Sequence, residues 1–583
     1  MKREPLVLLH SFVTGAEGNS YVFSGLITEI VATRIEEVLP ALARVEAMVE
    51  EGHHAVGFLS YEASSGLNSD LVTRPPCDLP LLWFAVYRER LSAPADFGSG
   101  GEFSCHDWQP AMSGEHFSGA INRIRDRIAA GETYQVNFTF PIHFSFSGDP
   151  AALYREICRS QPTPFCAFID LGRYCILSAS PELFFRLSGN SLTVRPMKGT
   201  ARRGRWPRED VEAREKLCRD AKERAENLMI VDLLRNDLGM VAATGSVSVP
   251  SLFDVETLPS VHQMTSTVTA RIPDSAGMVD VLRALFPCGS ITGAPKRRTM
   301  EIINELEIGP RGLYTGCIGY ISPGRDAVFS VAIRTLVLDM AQGRGTMGVG
   351  SGVTYDSTPE SEYQECLAKS AFVRQVLPAF QLIETILYEP RDGYFLLEGH
   401  LDRLRESASY WAFPCDLRVL RERLSLLQSA MTSRHRIRIL LDSSGAFTLE
   451  TYLLEIDPPD SIFKVALVRA RVDSGDRLLY HKTTARALYQ EELARRPDCL
   501  DVLFCNEAGE LTEGTMHNLV LKRGGRLVTP PLRSGLLPGV FRAALLAAGE
   551  IEEEVILPED LARAGEIYLI NSVRKWRRVR LID

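Results

Sequence analysis

Glu223 and Glu226 stand three residues apart, and so do Glu362 and Glu365. At helical spacing each pair projects from one face of its helix. Two such pairs from distant helices suit a hard divalent cation such as Mg2+, which takes a few carboxylates and completes its shell with substrate oxygens. The same spacing describes two solvated faces, and Lys222 and Arg224 beside the first pair fit that reading. A third residue with chemistry is Lys198, the single primary amine in TVRPMKGTARRG. It reads as solvent dressing, a phosphate contact or a nucleophile. A nucleophilic amine must be unprotonated, so the last reading needs burial or nearby charge to lower its pKa. Arg202, Arg203 and Arg205 are the charges close by in sequence. Arg334, after an apolar strand, has the fork that clamps a carboxylate through two parallel hydrogen bonds. Glycine-rich turns in FPCGSITGAPK, RGLYTGCIGY and MGVGSGVTYDS surround these residues, and the last offers backbone amides to an anion. Each such turn alone is simply a turn.

The elements that position these residues follow from periodicity. CAFIDLG and YCILSAS read as strands. DAKERAENLMIVDLLRNDLG repeats apolar residues at helical spacing and stops near Gly239. A second helix runs through ECLAKSAFVRQVL to about Pro378, and QLIETILYEPRDGYFLLEGHLDRL then restarts the chain as strand, turn, strand, helix. That restart opens an independent α+β domain, with a boundary near 376–380. At 583 residues the chain exceeds one core. A net charge of −9 argues against a nucleic-acid binder, which needs basic surface to displace counterions. No apolar run reaches the ~18 residues of a membrane span, and no signal peptide is read at the N-terminus. The 12 cysteines form no CxxC pair, so neither a zinc site nor a disulfide framework is indicated, and a reducing cytoplasm is expected.

Nine ordered motifs over about residues 20–375 carry a family resemblance: GETYQVNF, SASPELF, PMKGTARRG, KERAENLMIVDLLRNDLG, VHQMTSTV, FPCGSITGAPK, RGLYTGCIGY, AIRT and GSGVTYDSTPESEYQEC. Together they resemble the chorismate-utilising enzymes: the anthranilate, aminodeoxychorismate, isochorismate and salicylate synthases. The resemblance implies an α/β sandwich over 1–375 in which Mg2+ bridges the ring carboxylate of chorismate. It implies Glu226 and Glu365 as direct metal ligands, with Glu223 and Glu362 as their water-mediated or supporting partners. Arg334 and Tyr314 match positions holding the substrate's side-chain carboxylate, with backbone from a Gly350–Gly352 turn, and Thr292 and His262 complete the substrate set. Glu182 matches the acid that protonates the hydroxyl leaving ring carbon 4. Anthranilate synthases carry PIAGT where this chain has PMKGT. The aminodeoxychorismate branch carries PIKGT, so Lys198 is expected to add to ring carbon 2 before ammonia attacks carbon 4. The water-using branches place a lysine where this chain has Gln135. No glutaminase cysteine turn is present, so a separate glutamine amidotransferase subunit is the expected ammonia source.

The C-terminal part carries EGHLDRL, YHKTTARALY, GELTEGTMHNLV, TPPLRSGLLPGVFR and IYLINSVR. SGLLPGVFR is a turn feeding a helix whose free amides suit a phosphate. Ser572 adds a hydroxyl, and a lysine, a strand glutamate and a phosphate site together suit pyridoxal phosphate. Singly, each has a plain structural reading. As a set over 381–583 they resemble the fold-type IV pyridoxal-phosphate enzymes: branched-chain and D-amino acid aminotransferases and aminodeoxychorismate lyase. Lys482 matches the Schiff-base lysine and Glu513 the acid at the pyridine nitrogen. Arg403, the Val540 amide and Ser572 match the phosphate cup. These sites are usually built at a dimer interface, so a homodimer through this domain is implied. After Ser572 the chain reads VRKWRRVR, either a carboxylate-binding cluster or a solvated tail. Joined to the first half, the second is expected to eliminate pyruvate from 4-amino-4-deoxychorismate, leaving 4-aminobenzoate for folate synthesis. The alternatives are an aminotransferase of other specificity or an idle dimerisation or docking module.

Overall fold

Alternation of large apolar residues through QVNFTFPIHFSF makes a long strand, β1 (Gln135–Gly148). It is followed by β2 (Tyr174–Ser180), β3 (Leu183–Ser188) and β4 (Met197–Arg202). The computed structural model describes residues 4–13, 18–93, 100–258, 260–374, 378–458 and 460–582. Helix α1 (Ala221–Gly239) ends at the expected glycine and begins at Asp220, whose carboxylate accepts the Lys222 and Glu223 amides. Its buried stripe includes Ile230, Val231, Leu234 and Leu238, which join Phe184 and Leu285 in one core. Next come β5 (Val261–Arg271), β6 (Arg344–Val353) and α2 (Pro359–Lys369).

β1 pairs antiparallel with β6, with Thr139 opposite Gly350 and Asn137 opposite Gly352. A second core, with Phe117, Phe138, Phe140, Met347 and Val349, fills one side of this pair. The stretch expected as a glycine-rich turn, Gly350–Gly352, is therefore a strand. β4 pairs with β5, and the register slips between Met197 and Thr200. The slip is a bulge containing Lys198 and Gly199, with Gly199 at φ +94°. Bulges re-aim a side chain next to an active site, and a glycine accepts the left-handed backbone without strain.

Met1–Arg202 and Arg214–Leu377 form one compact unit, and Pro378–Asp583 with Arg203–Ala213 forms the other. The excursion of Arg203–Ala213 into the second unit has no signature in the sequence. In that unit β7 (Leu382–Glu389) lies in a four-stranded antiparallel sheet. Helix α3 (Leu397–Trp411) packs Leu401, Leu404 and Ala408 onto it. An eight-stranded sheet follows. It includes β8 (Ile462–Val472), β9 (Asp501–Asn506), β10 (Leu511–Gly514) and β11 (Asn518–Arg523). After helix α4 (Val540–Ala547) come β12 (Glu566–Asn571) and β13 (Lys575–Ile582). Pairing of β10 with β11 closes β10, β9, β8, β13, β12 and β11 into a ring. The basic run after Ser572 is thus no solvated tail. It is an interior strand, and Arg574 and Arg577 both pair with Asp457. The fold is α+β in both units. All 12 cysteines are free. Among the described residues no helix is long and apolar enough to cross a membrane.

Candidate active sites

Lys198 leaves the β4 bulge half-buried. The Asn227 amide of α1 donates to its carbonyl at 3.2 Å, and the Ser266 hydroxyl fixes that amide by donating to its oxygen at 2.6 Å. Its Nζ donates no hydrogen bond among the described residues. Burial lowers its pKa; Glu226 opposes this, Lys369 adds to it, and Glu182 and Glu365 oppose it. The cation that helps lower its pKa is thus Lys369, not the neighbouring arginines expected from sequence. Arg203 and Arg205 are instead paired with Asp210 and Glu209.

Glu182 sits buried in the turn between β2 and β3, and burial pushes its carboxyl up to about 7. The Ser290 hydroxyl donates to its Oε1 at 2.6 Å, and the charge of Lys198 also acts to lower it. A carboxyl poised near neutrality is what a general acid needs. Sequence reasoning passed over Ser290, Asn227 and Lys369. The available signals were that Ser290 and Asn227 adjoin Gly289 and Glu226, and that Lys369 stands one helical turn beyond Glu365.

The four glutamates come into one electrostatic neighbourhood. Burial raises Glu226, Lys198 and Lys222 counter it, and Glu362 and Glu365 raise it further. Burial and Glu226 raise Glu223, whose Oε2 lies 3.2 Å from where a Cβ on Gly199 would stand. Lysines take up part of this charge: Lys369 pairs with Glu365 at 2.8 Å and Lys222 with Glu226 at 4.0 Å. Among the described residues no group of three or more His, Cys, Asp or Glu stands close enough to hold a metal by itself. The donors nevertheless fit Mg2+, being all carboxylate oxygens in mutual repulsion.

Arg334 follows the apolar strand as expected, at φ +50°. Burial draws its guanidinium down to about 10, and its polar contact is the Gln161 side-chain oxygen, to which Nη1 donates. It has no carboxylate partner among the described residues. A deep, uncompensated guanidinium is a seat for a ligand anion. The glycines of β6 act by what they lack. A Cβ on Gly348 would stand 2.1 Å from the Tyr314 ring. One on Gly350 would meet the Thr139 methyl at 2.7 Å, and one on Gly352 would meet Gln135 Nε2 at 2.4 Å and Lys198 Nζ at 3.1 Å. Alternate positions of a strand share a face, so Tyr314, Gln135 and Lys198 gather over that face. Gln135 is buried with both amide atoms unpartnered. Thr292 gives its hydroxyl to the Cys288 and Gly289 carbonyls, and His262 lies buried on β5 opposite Ala201.

In the second unit Lys482 is half-buried, and its carbonyl accepts the Ile383 amide at 2.8 Å. Burial, Arg403 and Arg486 bring its amine down to about 7, against Glu384 and Glu513. Glu513 on β10 is raised to about 7 by burial, with Arg486 and Lys482 opposing. Asn518 donates to its Oε2 at 3.2 Å. Arg403 forks onto Glu384 at 2.8 and 2.7 Å and donates to the Pro538 carbonyl at 3.1 Å, just before α4. That contact ties it to the turn presenting the Val540 amide. Ser572 follows β12, buried, and its hydroxyl makes no hydrogen bond among the described residues. An unpaired, half-buried lysine whose amine is lowered to about 7, a buried acid and a helix start with adjoining cation and hydroxyl fit pyridoxal phosphate.

Residues 98–375 match the family described as chorismate binding enzyme, and residues 381–582 match amino-transferase class IV. The chain is 44% identical over 263 residues to aminodeoxychorismate synthase component 1 of Escherichia coli, covering 45% of this chain and 58% of that one. It is 39% identical over 328 residues to anthranilate synthase component 1 of Neisseria meningitidis, covering 56% and 62%. The chain thus spans little over half the length of these curated relatives. The crystal structure of anthranilate synthase component I from Streptococcus pneumoniae superposes with TM-score 0.54 at 26% identity, over 62% of this chain and 94% of that one. One polypeptide thus matches the chorismate binding enzyme family over residues 98–375 and the amino-transferase class IV family over residues 381–582.

Proposed function

We propose that the chain aminates chorismate with ammonia to 4-amino-4-deoxychorismate, and that its second unit eliminates pyruvate from that product to leave 4-aminobenzoate. The observation that carries the first step is Lys198, an amine with a lowered pKa among Glu182, Glu226 and Glu365. Arg334 receives the side-chain carboxylate, with Tyr314 beside the strand that faces Lys198. Glu226 and Glu365, with Glu223 and Glu362 around them, would hold Mg2+, which supplies positive charge against the ring carboxylate. Lys198 Nζ uses its lone pair to bond ring carbon 2 while both conjugated ring double bonds shift and the 4-hydroxyl leaves as water, taking its proton from Glu182. Ammonia then attacks carbon 4, both double bonds return, and the bond from carbon 2 to Nζ breaks. Return of the lysine as a neutral amine and loss of a proton from the new ammonium complete the balance. A separate glutamine amidotransferase subunit would supply the ammonia.

In the second unit bound pyridoxal phosphate would supply an electron sink. Arg403, the Val540 amide and Ser572 would hold its phosphate, and Glu513 would keep its ring nitrogen protonated. Lys482, free to lose its proton near neutrality, carries protons to and from the substrate.

Product analysis of the full chain with chorismate, Mg2+, ammonium and pyridoxal phosphate tests both steps, with Lys198→Ala alongside. Expected are 4-aminobenzoate and pyruvate, lost in the variant or replaced by anthranilate. Aminodeoxychorismate as end product defeats the lyase step and leaves an aminotransferase or an idle module. Anthranilate from the wild type defeats the role of Lys198.

A further inference from the structure

The second unit is discontinuous in sequence, and the piece it borrows lies against the residues just before Lys482. Arg203 is almost fully enclosed, its side chain 3% exposed. Its Nε donates to Asp210 Oδ1 at 2.7 Å, and the Gly204 amide donates to the same oxygen at 2.8 Å. Its Nη2 donates to the Tyr410 carbonyl at 3.2 Å, and its guanidinium lies 4.1 Å from the centre of the Tyr410 ring. The Tyr410 hydroxyl returns a hydrogen bond to the Gly204 carbonyl at 2.7 Å. Tyr410 in turn packs on His481 with ring centres 4.4 Å apart, and His481 Nδ1 meets Ser407 Oγ at 3.0 Å. Further along the segment, Trp206 lies 5.1 Å from the Tyr480 ring. Both residues that precede Lys482 are therefore gripped by, or through, Arg203–Ala213.

We propose that Arg203–Ala213 is a positioning segment for the Lys482 site, in which Arg203, acting through Tyr410 and His481, fixes the backbone from which Lys482 projects. A buried guanidinium is costly unless its donors are met. Here they are met on several sides, so the wall is over-determined and rigid. The charged groups acting most on Lys482 itself are Arg403, Arg486, Glu384 and Glu513, so Arg203 works through packing. A lysine that bonds an aldehyde carbon must present its amine within about 0.5 Å of the productive position, which supporting contacts of this kind secure. The inference rests on Lys482 being the cofactor lysine.

The test uses the full chain as wild type, Arg203→Gln, Arg203→Lys and Tyr410→Phe. Three quantities are read: pyridoxal phosphate release from the loaded protein, the pH profile of amine labelling at Lys482 in cofactor-stripped protein, and ammonium-dependent chorismate consumption. Arg203→Gln is expected to release the cofactor roughly 10-fold faster, the loss of one charge-assisted hydrogen bond. Its Lys482 labelling midpoint should move up toward that of an ordinary lysine as the wall loosens. Arg203→Lys should recover only part of both, because an ammonium lacks the planar fork. Chorismate consumption should stay within about twofold of wild type, since neither residue touches that site. Should Arg203→Gln not fold, Tyr410→Phe carries the test, with ~2- to 3-fold faster release for one neutral hydrogen bond. Unchanged release and labelling, or a loss confined to chorismate consumption, would overturn the proposal. Failure of the wild type to take up the cofactor defeats the underlying assignment instead, and the labelling profile still decides whether Arg203 positions Lys482.

Discussion

Ser290→Ala removes one hydroxyl from the site and asks whether Glu182 is the acid. Ser290 is buried and donates to Glu182 Oε1 at 2.6 Å, a bond made to the charged carboxylate. A hydrogen bond to a charged group contributes about 1.5–3 kcal/mol, which corresponds to roughly one to two pH units. The bond favours the anion, so losing it raises the carboxyl above its present value of about 7. The leaving hydroxyl needs the protonated acid, so activity falls as pH rises through that pKa. In the variant the fall should come at about pH 8–9, shifted by the one to two units worked out above. A weaker acid also protonates more slowly, which should lower the plateau by ~3- to 10-fold. The assay is kcat/KM for chorismate consumption with Mg2+ across pH at fixed free ammonia, so that ammonium titration does not enter. A lower plateau with an unmoved alkaline limb would refute the reasoning, because the group titrating there would not be Glu182.

Gly352→Ala should leave folding within ~1 kcal/mol, because its Cβ meets only the flexible ends of Gln135 and Lys198. Amination should still fall by about 100-fold as those ends are displaced; a normal rate would show that the face over Gly352 is not used. Gly348→Ala should instead lower the melting temperature, at a cost of ~1–3 kcal/mol, because its Cβ runs into the Tyr314 ring. Arg334→Gln should cost ~2–4 kcal/mol in kcat/KM for chorismate, or about 30- to 1000-fold, from loss of the partner to a buried carboxylate. Recombination of stripped protein with pyridoxal phosphate should speed up as pH rises to about 7, the value to which Lys482 is lowered, and then flatten. Stopped-flow absorbance checks this, and a rate still climbing above pH 9 would mean an ordinary lysine.

The sequence made α1 legible because its apolar stripe, its Asp220 cap and its terminal glycine agree, and the i, i+3 glutamates came with it. Lys198, Glu182, Arg334 and the residues of the second site were nameable from motifs. The sequence did not show what surrounds each. Lys369 lies on helix α2, far in sequence from Lys198 on strand β4, and the Ser290 hydroxyl reaches Glu182 across 108 positions. MGVGSGV reads as a turn because glycine lacks strand propensity. It is a strand because each absent side chain leaves room for another residue. The run after Ser572 reads as solvated because arginines interrupt it, yet Asp457, more than 100 positions earlier, pairs with two of them. Contacts between distant stretches of chain decide all of these, and local pattern carries no trace of them.

The ring of strands in the second unit also sets a timetable for synthesis. β13 lies between β8 and β12, so the ring cannot close until residues 575–582 have been translated. At about 5–20 residues per second, the some 200 residues after the first unit take ~10–40 s to make. Over that interval the first unit can fold, whereas Arg203–Ala213 waits for partners still on the ribosome. Arg203 then lacks Tyr410 and Trp206 lacks Tyr480, so this stretch is the natural place for a chaperone or a protease to meet the nascent chain. A chain stalled before Tyr410 has been made should therefore show cleavage near Arg205 that the finished protein resists.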